Sequence, residues 1–63
     1  MVYEYLKQIE KDLDNTDDIF KLLDELKTLA ILQQDRKVMM EHEILVTGLI
    51  ERIQERIVLR WYS

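Results

Sequence analysis

The sequence predicts a small all-α fold, in which two short helices precede one long C-terminal helix. Proline is absent and Gly48 is the only glycine, so the residues that punctuate strands and hairpins are missing. Apolar residues recur at spacings of three and four, which is the period of one helix face. Polar intervals near residues 14–16 and 33–37 divide this pattern into three helical segments.

The first predicted helix occupies the N-terminal segment. Its apolar positions, spaced four, three and four residues apart, are Val2, Leu6, Ile9 and Leu13. The stretch "DLDNTDD" then interrupts the pattern. Asp14, Asn15 or Thr16 can cap a new helix by accepting a hydrogen bond from its first amide groups, and the acids at 17–18 favour its positive end. We therefore place a turn at residues 14–16.

The second predicted helix has a clear three-four repeat, formed by Ile19, Leu22, Leu23, Leu26, Leu29 and Ala30. Lys21 lies four residues from both Asp17 and Glu25, so we expect both pairs on the outside of this helix. The polar segment at 33–37 has two interpretations. Either Asp35 caps a third helix after a short connection, or one helix about 65 Å long continues from 17 to 60. We favour the connection, because the apolar segments on its two sides pack more easily in a folded-back chain.

The third predicted helix, residues 36–61, carries a main apolar stripe. On a helical wheel the stripe contains Met39, His42, Val46, Leu49, Ile50, Ile53, Ile57 and Trp61. Other apolar side chains, including Met40 and Ile44, lie well outside it. A helix that is apolar over so much of its circumference is expected to contact more than one neighbour.

The apolar content predicts an oligomer. Hydrophobic residues make up 48% of the 63 residues, which we expect to form a single helical domain, 1–63. A chain this short buries only about 60% of its unfolded surface and is marginally stable alone. A second copy could cover the remaining apolar side chains. We therefore expect a two-fold homodimer that pairs through the third helix.

The candidate interface combines this stripe with a row of arginines that borders it. Its residues are Val46, Leu49, Ile50, Ile53, Ile57, Trp61, Arg52, Arg56 and Arg60. The arginines have three interpretations: contacts with acidic groups of this chain or its second copy, a partner-binding row anchored by Trp61, or a nucleic-acid surface. Residues 1–35 carry nine acidic residues and four lysines, whereas 36–63 carry five basic and four acidic residues. This complementarity favours the first interpretation.

Several classes of function have little support in the composition. Cysteine is absent and His42 is the single histidine, so we expect neither a metal site nor any other cofactor. A serine or cysteine nucleophile with a paired base and a glycine-rich phosphate loop are also absent, so we do not expect an enzyme. The net charge of −4 argues against nucleic acid. A signal peptide and an apolar span of about 20 residues are both missing, which predicts a cytoplasmic or otherwise intracellular protein without membrane contact.

The remaining expectation is a small protein–protein interaction module of regulatory, adaptor or inhibitor type. It would act through helix–helix packing as a homodimer, and it could also bind another protein. Two alternatives stay open. The chain could be a nucleic-acid-binding dimer that uses Arg52, Arg56 and Arg60, or a purely structural oligomerisation segment.

Overall fold

Three helices account for the chain in the computed structural model, which describes residues 1–16 and 18–62. They are α1 (Val2–Leu13), α2 (Ile19–Gln33) and α3 (Arg36–Tyr62). The described residues contain no strand. The predicted all-α fold with two short helices and a long third one is therefore confirmed, whereas dimerisation stays a prediction.

The break between α1 and α2 is confirmed, but the predicted caps are wrong. Asp18 caps α2, because its side chain accepts hydrogen bonds from the backbone amides of Phe20 at 3.0 Å and Lys21 at 3.4 Å. Asp14 and Asn15 instead finish α1: Asp14 is its C-cap, and the Asn15 side chain donates to the Lys11 carbonyl at 3.1 Å. The predicted ion pair between residues 17 and 21 lies outside the described residues.

The short connection between α2 and α3 is confirmed, as is Asp35 as the cap of α3. The Asp35 carboxylate accepts hydrogen bonds from the backbone amides of Lys37 at 3.0 Å and Val38 at 3.3 Å. It thereby satisfies two amides that have no partner inside the helix. The chain folds back at this point, so α2 runs antiparallel to α3.

The core lies between α3 and the other two helices. Its buried apolar residues are Leu6, Ile9, Leu13, Leu22, Leu29, Val38, Val46, Leu49 and Ile53. α3 packs against both neighbours and more extensively against α2. α1 runs parallel to α3, since Tyr3 lies beside His42 and Leu13 beside Arg56. The third helix therefore has the two neighbours that its apolar circumference predicts.

The orientation of α2 differs from the prediction. Leu22 and Leu29 are buried as expected, but Leu23 and Ala30 are exposed, and Glu25 lies on the buried face. α2 carries apolar residues around much of its own circumference, so its three-four repeat fits more than one orientation toward α3. Lys21 likewise does not pair with Glu25, because its ammonium lies 3.5 Å from the Asp12 carboxylate of α1.

Two features of α3 could not be expected from its spacing. The helix is kinked at His42, where φ is −135° and ψ is 24°. Beyond Ile57, every described residue of α3 is exposed. Trp61, which the wheel placed in the main apolar stripe, is 75% exposed. α1 ends at Leu13 beside Arg56, so no described helix packs over the last turn of α3. The place of Trp61 in a partner interface stays a prediction.

Candidate functional site

The apolar members of the predicted interface lie mostly inside the single chain. Val46, Leu49 and Ile53 are fully buried against the other helices. Ile50 and Ile57 are partly buried and pack against the same core. The centre of the predicted dimer seam is thus filled by α1 and α2, so these three side chains have no surface left for a partner in this fold.

Arg52 contacts the acidic half of its own chain, as the charge distribution predicts. Its guanidinium nitrogens lie 3.7 Å from the Glu10 carboxylate and 3.5 Å from the Asp14 carboxylate. All three side chains are partly exposed, so each pair contributes at most a modest stabilisation. Lys7 also donates to Glu10 at 2.9 Å, and this hydrogen bond lowers the Glu10 pKa.

Arg56 contacts the C-terminal end of α1. Its Nη1 donates a hydrogen bond to the carbonyl oxygen of Leu13, the last residue of that helix. A positive group there adds a hydrogen bond to one of the last carbonyls of the helix and complements the helix dipole. Arg60 lies one turn further along, in the last turn of α3. Arg52 and Arg56 therefore connect α3 to the end of α1, which gives the nucleic-acid alternative no support.

A first exposed apolar surface lies on the side of α2 opposite the core. We call it the outer α2 face, formed by Phe20, Leu23, Asp24, Lys27 and Ile31. Phe20 is 79% exposed and Ile31 63%, while Leu23 is half-exposed. Asp24 and Lys27 are exposed between them. α2 is thus apolar on both sides, and only its inner side has a partner among the described residues.

A second exposed surface is a groove between α1 and α3 at the kink. We call it the kink groove; its volume is about 610 Å³. Its lining includes Tyr3, Glu10, Met40, Ile44, Leu45 and Gly48. Ile44 is 90% exposed, and the Tyr3 and His42 rings lie 6.0 Å apart at one end. The volume is in the range of binding clefts, which span about 300–1,000 Å³.

A third feature is a buried carboxyl group. Glu25 is only 8% exposed, and its Oε1 has no hydrogen-bond partner among residues 1–16 and 18–62. Burial raises the pKa of Glu25, and the nearby Asp12 carboxylate raises it further, while Lys21 opposes both. Burial of an ionised carboxylate is unfavourable, so this position lowers the stability of the fold at neutral pH.

Comparisons with protein-family models, curated proteins and solved structures find no match to this chain. Within the described part of the chain, no helix is both long and apolar enough to cross a membrane. Across residues 1–16 and 18–62, no group of three His, Asp or Glu side chains is placed to hold a metal ion.

The sequence contained signals for both surfaces that spacing alone did not resolve. For the outer α2 face, the signal is the number of apolar residues in α2, which exceeds what one face of a helix can hold. For the kink groove, the signal is Gly48, the only glycine in the sequence, which stands inside a predicted helix. The kink has no such signal, since His42 has neither proline nor glycine beside it.

Proposed function

We propose that this protein is a small protein–protein interaction module that forms a homodimer by packing the outer α2 faces of two copies. The observation that carries the proposal is the exposure of Phe20 and Ile31 on a helix whose opposite side is already buried. The single chain leaves Phe20, Leu23 and Ile31 of this face in water, and a second copy could cover them. Pairing across this face would also account for the apolar excess that the composition contains.

The outer α2 face is complementary to itself in an antiparallel arrangement. When the two-fold axis passes between residues 25 and 26, Phe20 lies level with Ile31 of the second copy. Asp24 then lies level with Lys27 of the second copy, and each of these pairs occurs twice by symmetry. The same register thus matches apolar with apolar and acid with base. A single helix pair is a small interface, so we expect a micromolar dissociation constant.

Sedimentation equilibrium measures this association directly. Phe20→Glu combined with Ile31→Glu places like charges at both apolar pairs, so we expect dimerisation at least about tenfold weaker. Val58→Glu is the matched control, because Val58 is half-exposed on α3 and belongs to neither surface. A wild-type protein that stays monomeric up to millimolar concentration would contradict the proposal.

A charge exchange tests the register. Asp24→Lys places two lysines level with each other across the axis, so dimerisation should weaken. Adding Lys27→Asp to that variant restores opposite charges at both positions, and dimerisation should recover. If the double exchange is as weak as Asp24→Lys alone, the two copies pair in a different register.

A further inference from the structure

We infer that the kink groove is a docking site for an amphipathic helix of another protein, one that presents lysine or arginine beside a row of small and apolar side chains. This inference does not depend on dimerisation through the outer α2 face. The groove and that face involve different residues, and both can be occupied in the same molecule.

The two walls of the groove have the form that a helix requires. Tyr3 and Glu10 lie two turns apart on α1, while Leu45, Gly48 and Arg52 follow one another on α3 at spacings of three and four. Parallel helices α1 and α3 therefore provide two ridges with a channel between them. An added helix there would complete a four-helix arrangement around α3.

Gly48 indicates that the occupant approaches the floor of the channel closely. Gly48 does not have a positive φ, and a Cβ atom added to it would meet nothing within 4 Å. The fold itself therefore has no need for glycine here, although glycine destabilises a helix by about 1 kcal/mol relative to alanine. The missing side chain instead leaves the α3 backbone open to close contact with a ligand.

The apolar wall supplies the contact area that such a helix would bury. Ile44 and Met40 are among the most exposed apolar side chains of α3, and both line the groove. Leu45 beside them is partly buried. An apolar ridge on the incoming helix would remove all three from water, at about 25 cal/mol for each Å² of apolar surface buried.

The charges around the groove favour a basic partner. Three glutamates line it, Glu10, Glu41 and Glu43, whereas Arg52 is the one lysine or arginine among the described residues of its lining. The Arg52 guanidinium is already close to Glu10 and Asp14. His42 Nε2 lies 3.7 Å from Glu41 and offsets its charge only when the imidazole is protonated. Glu43 has no ion pair among the described residues, so lysine or arginine on the incoming helix would meet unneutralised carboxylates.

The probe for this inference is a fluorescein-labelled amphipathic peptide of leucine, alanine and lysine. About 18 residues give roughly 27 Å of helix, enough to follow the groove. A matched peptide carries glutamate in place of every lysine. All measurements use the Phe20→Glu, Ile31→Glu protein as background, so that the outer α2 face cannot bind the probe. We expect fluorescence anisotropy to show the lysine peptide binding at least about tenfold more tightly than the glutamate peptide.

Substitutions at Gly48 separate binding from folding. Gly48→Leu fills the channel. A Cβ meets nothing at this position and leucine favours a helix more than glycine does, so the melting temperature of this variant should not fall. Its affinity for the lysine peptide should fall at least about tenfold. Gly48→Ala should raise the melting temperature and weaken binding to a smaller extent. Val58→Glu should leave binding unchanged.

Three results would overturn the inference. The first is equal binding of the lysine peptide to Gly48→Leu and to the parent protein. The second is equal binding of the two peptides. The third concerns self-association, measured by sedimentation of Gly48→Leu in the otherwise wild-type protein. If this substitution changes self-association, the groove belongs to a second copy of this chain.

Discussion

Glu25 illustrates how one side chain can set the pH response of the whole fold. Its carboxyl group is buried on the inner side of α2, near Asp12 of α1 and with Asp24 and Lys21 nearby on its own helix. Burial raises its pKa above the ordinary value of 4.5. Ionisation of Glu25 therefore favours the unfolded chain, where the carboxylate is fully hydrated. The free energy of unfolding should fall as the pH rises through the raised pKa.

Replacement of Glu25 by glutamine should reverse this effect. Glutamine keeps the shape but carries no charge, so we expect Glu25→Gln to raise the free energy of unfolding at pH 8 by about 1–2 kcal/mol. The gain should shrink toward pH 4, where Glu25 itself becomes neutral. Urea denaturation followed by circular dichroism at both pH values measures the difference. Glu51→Gln, at an exposed position of α3 outside both surfaces, should change little; an equal gain there would assign the effect to net charge.

At the scale of the helix, the end of α1 depends on a residue that lies far along the chain. Arg56 donates to the Leu13 carbonyl, at a sequence separation of 43 residues. We expect Arg56→Met, which keeps most of the apolar stem, to lower the free energy of unfolding by about 1 kcal/mol. Urea denaturation again provides the measurement, and Arg36→Met at the opposite end of α3 is the control. If both variants lose the same amount, the contact with α1 contributes nothing specific.

Some features of the helices could be predicted from the sequence, and others could not. The end of α1 and the start of α3 were predictable because they follow from local chemistry: the polar segment after Leu13 ends α1, and Asp35 caps α3 with its own carboxylate. The cap of α2 was not, because several neighbouring polar side chains could have filled that position and Asp18 does. The orientation of α2 was not predictable, because Leu23 and Leu22 are equally apolar and only packing against α3 selects one of them for burial. The outer α2 face depends on that selection, so Phe20 was not identified as part of a surface.

At the scale of the whole molecule, Ile53 belongs to the core of a single chain. The sequence placed it in a dimer seam, where an aspartate would disrupt assembly and folding together. In the structure Ile53 is fully buried among residues of its own chain. A domain of this size has a total stability of only about 3–9 kcal/mol. An unpaired carboxylate buried in the core costs enough free energy to unfold such a domain.

We therefore expect Ile53→Asp to lose its helical circular dichroism even at concentrations where the wild-type protein is monomeric. Ile44→Asp, which places the same charge at a position that is 90% exposed, should keep the signal. If Ile53→Asp instead folds as a stable monomer, the core does not lie where the structure places it.

The exposed end of α3 determines which spectroscopic signals are informative for this molecule. Trp61 is the only tryptophan, and it lies in the last turn of α3, where water surrounds most of its ring. Its emission in the folded protein should already resemble that of an unfolded chain, so intrinsic fluorescence would miss the loss of the core. The same indole would shift its emission to shorter wavelength when another molecule covers that turn. Trp61 is thus a poor reporter of folding and a natural, label-free reporter of contacts at the C-terminal end of α3.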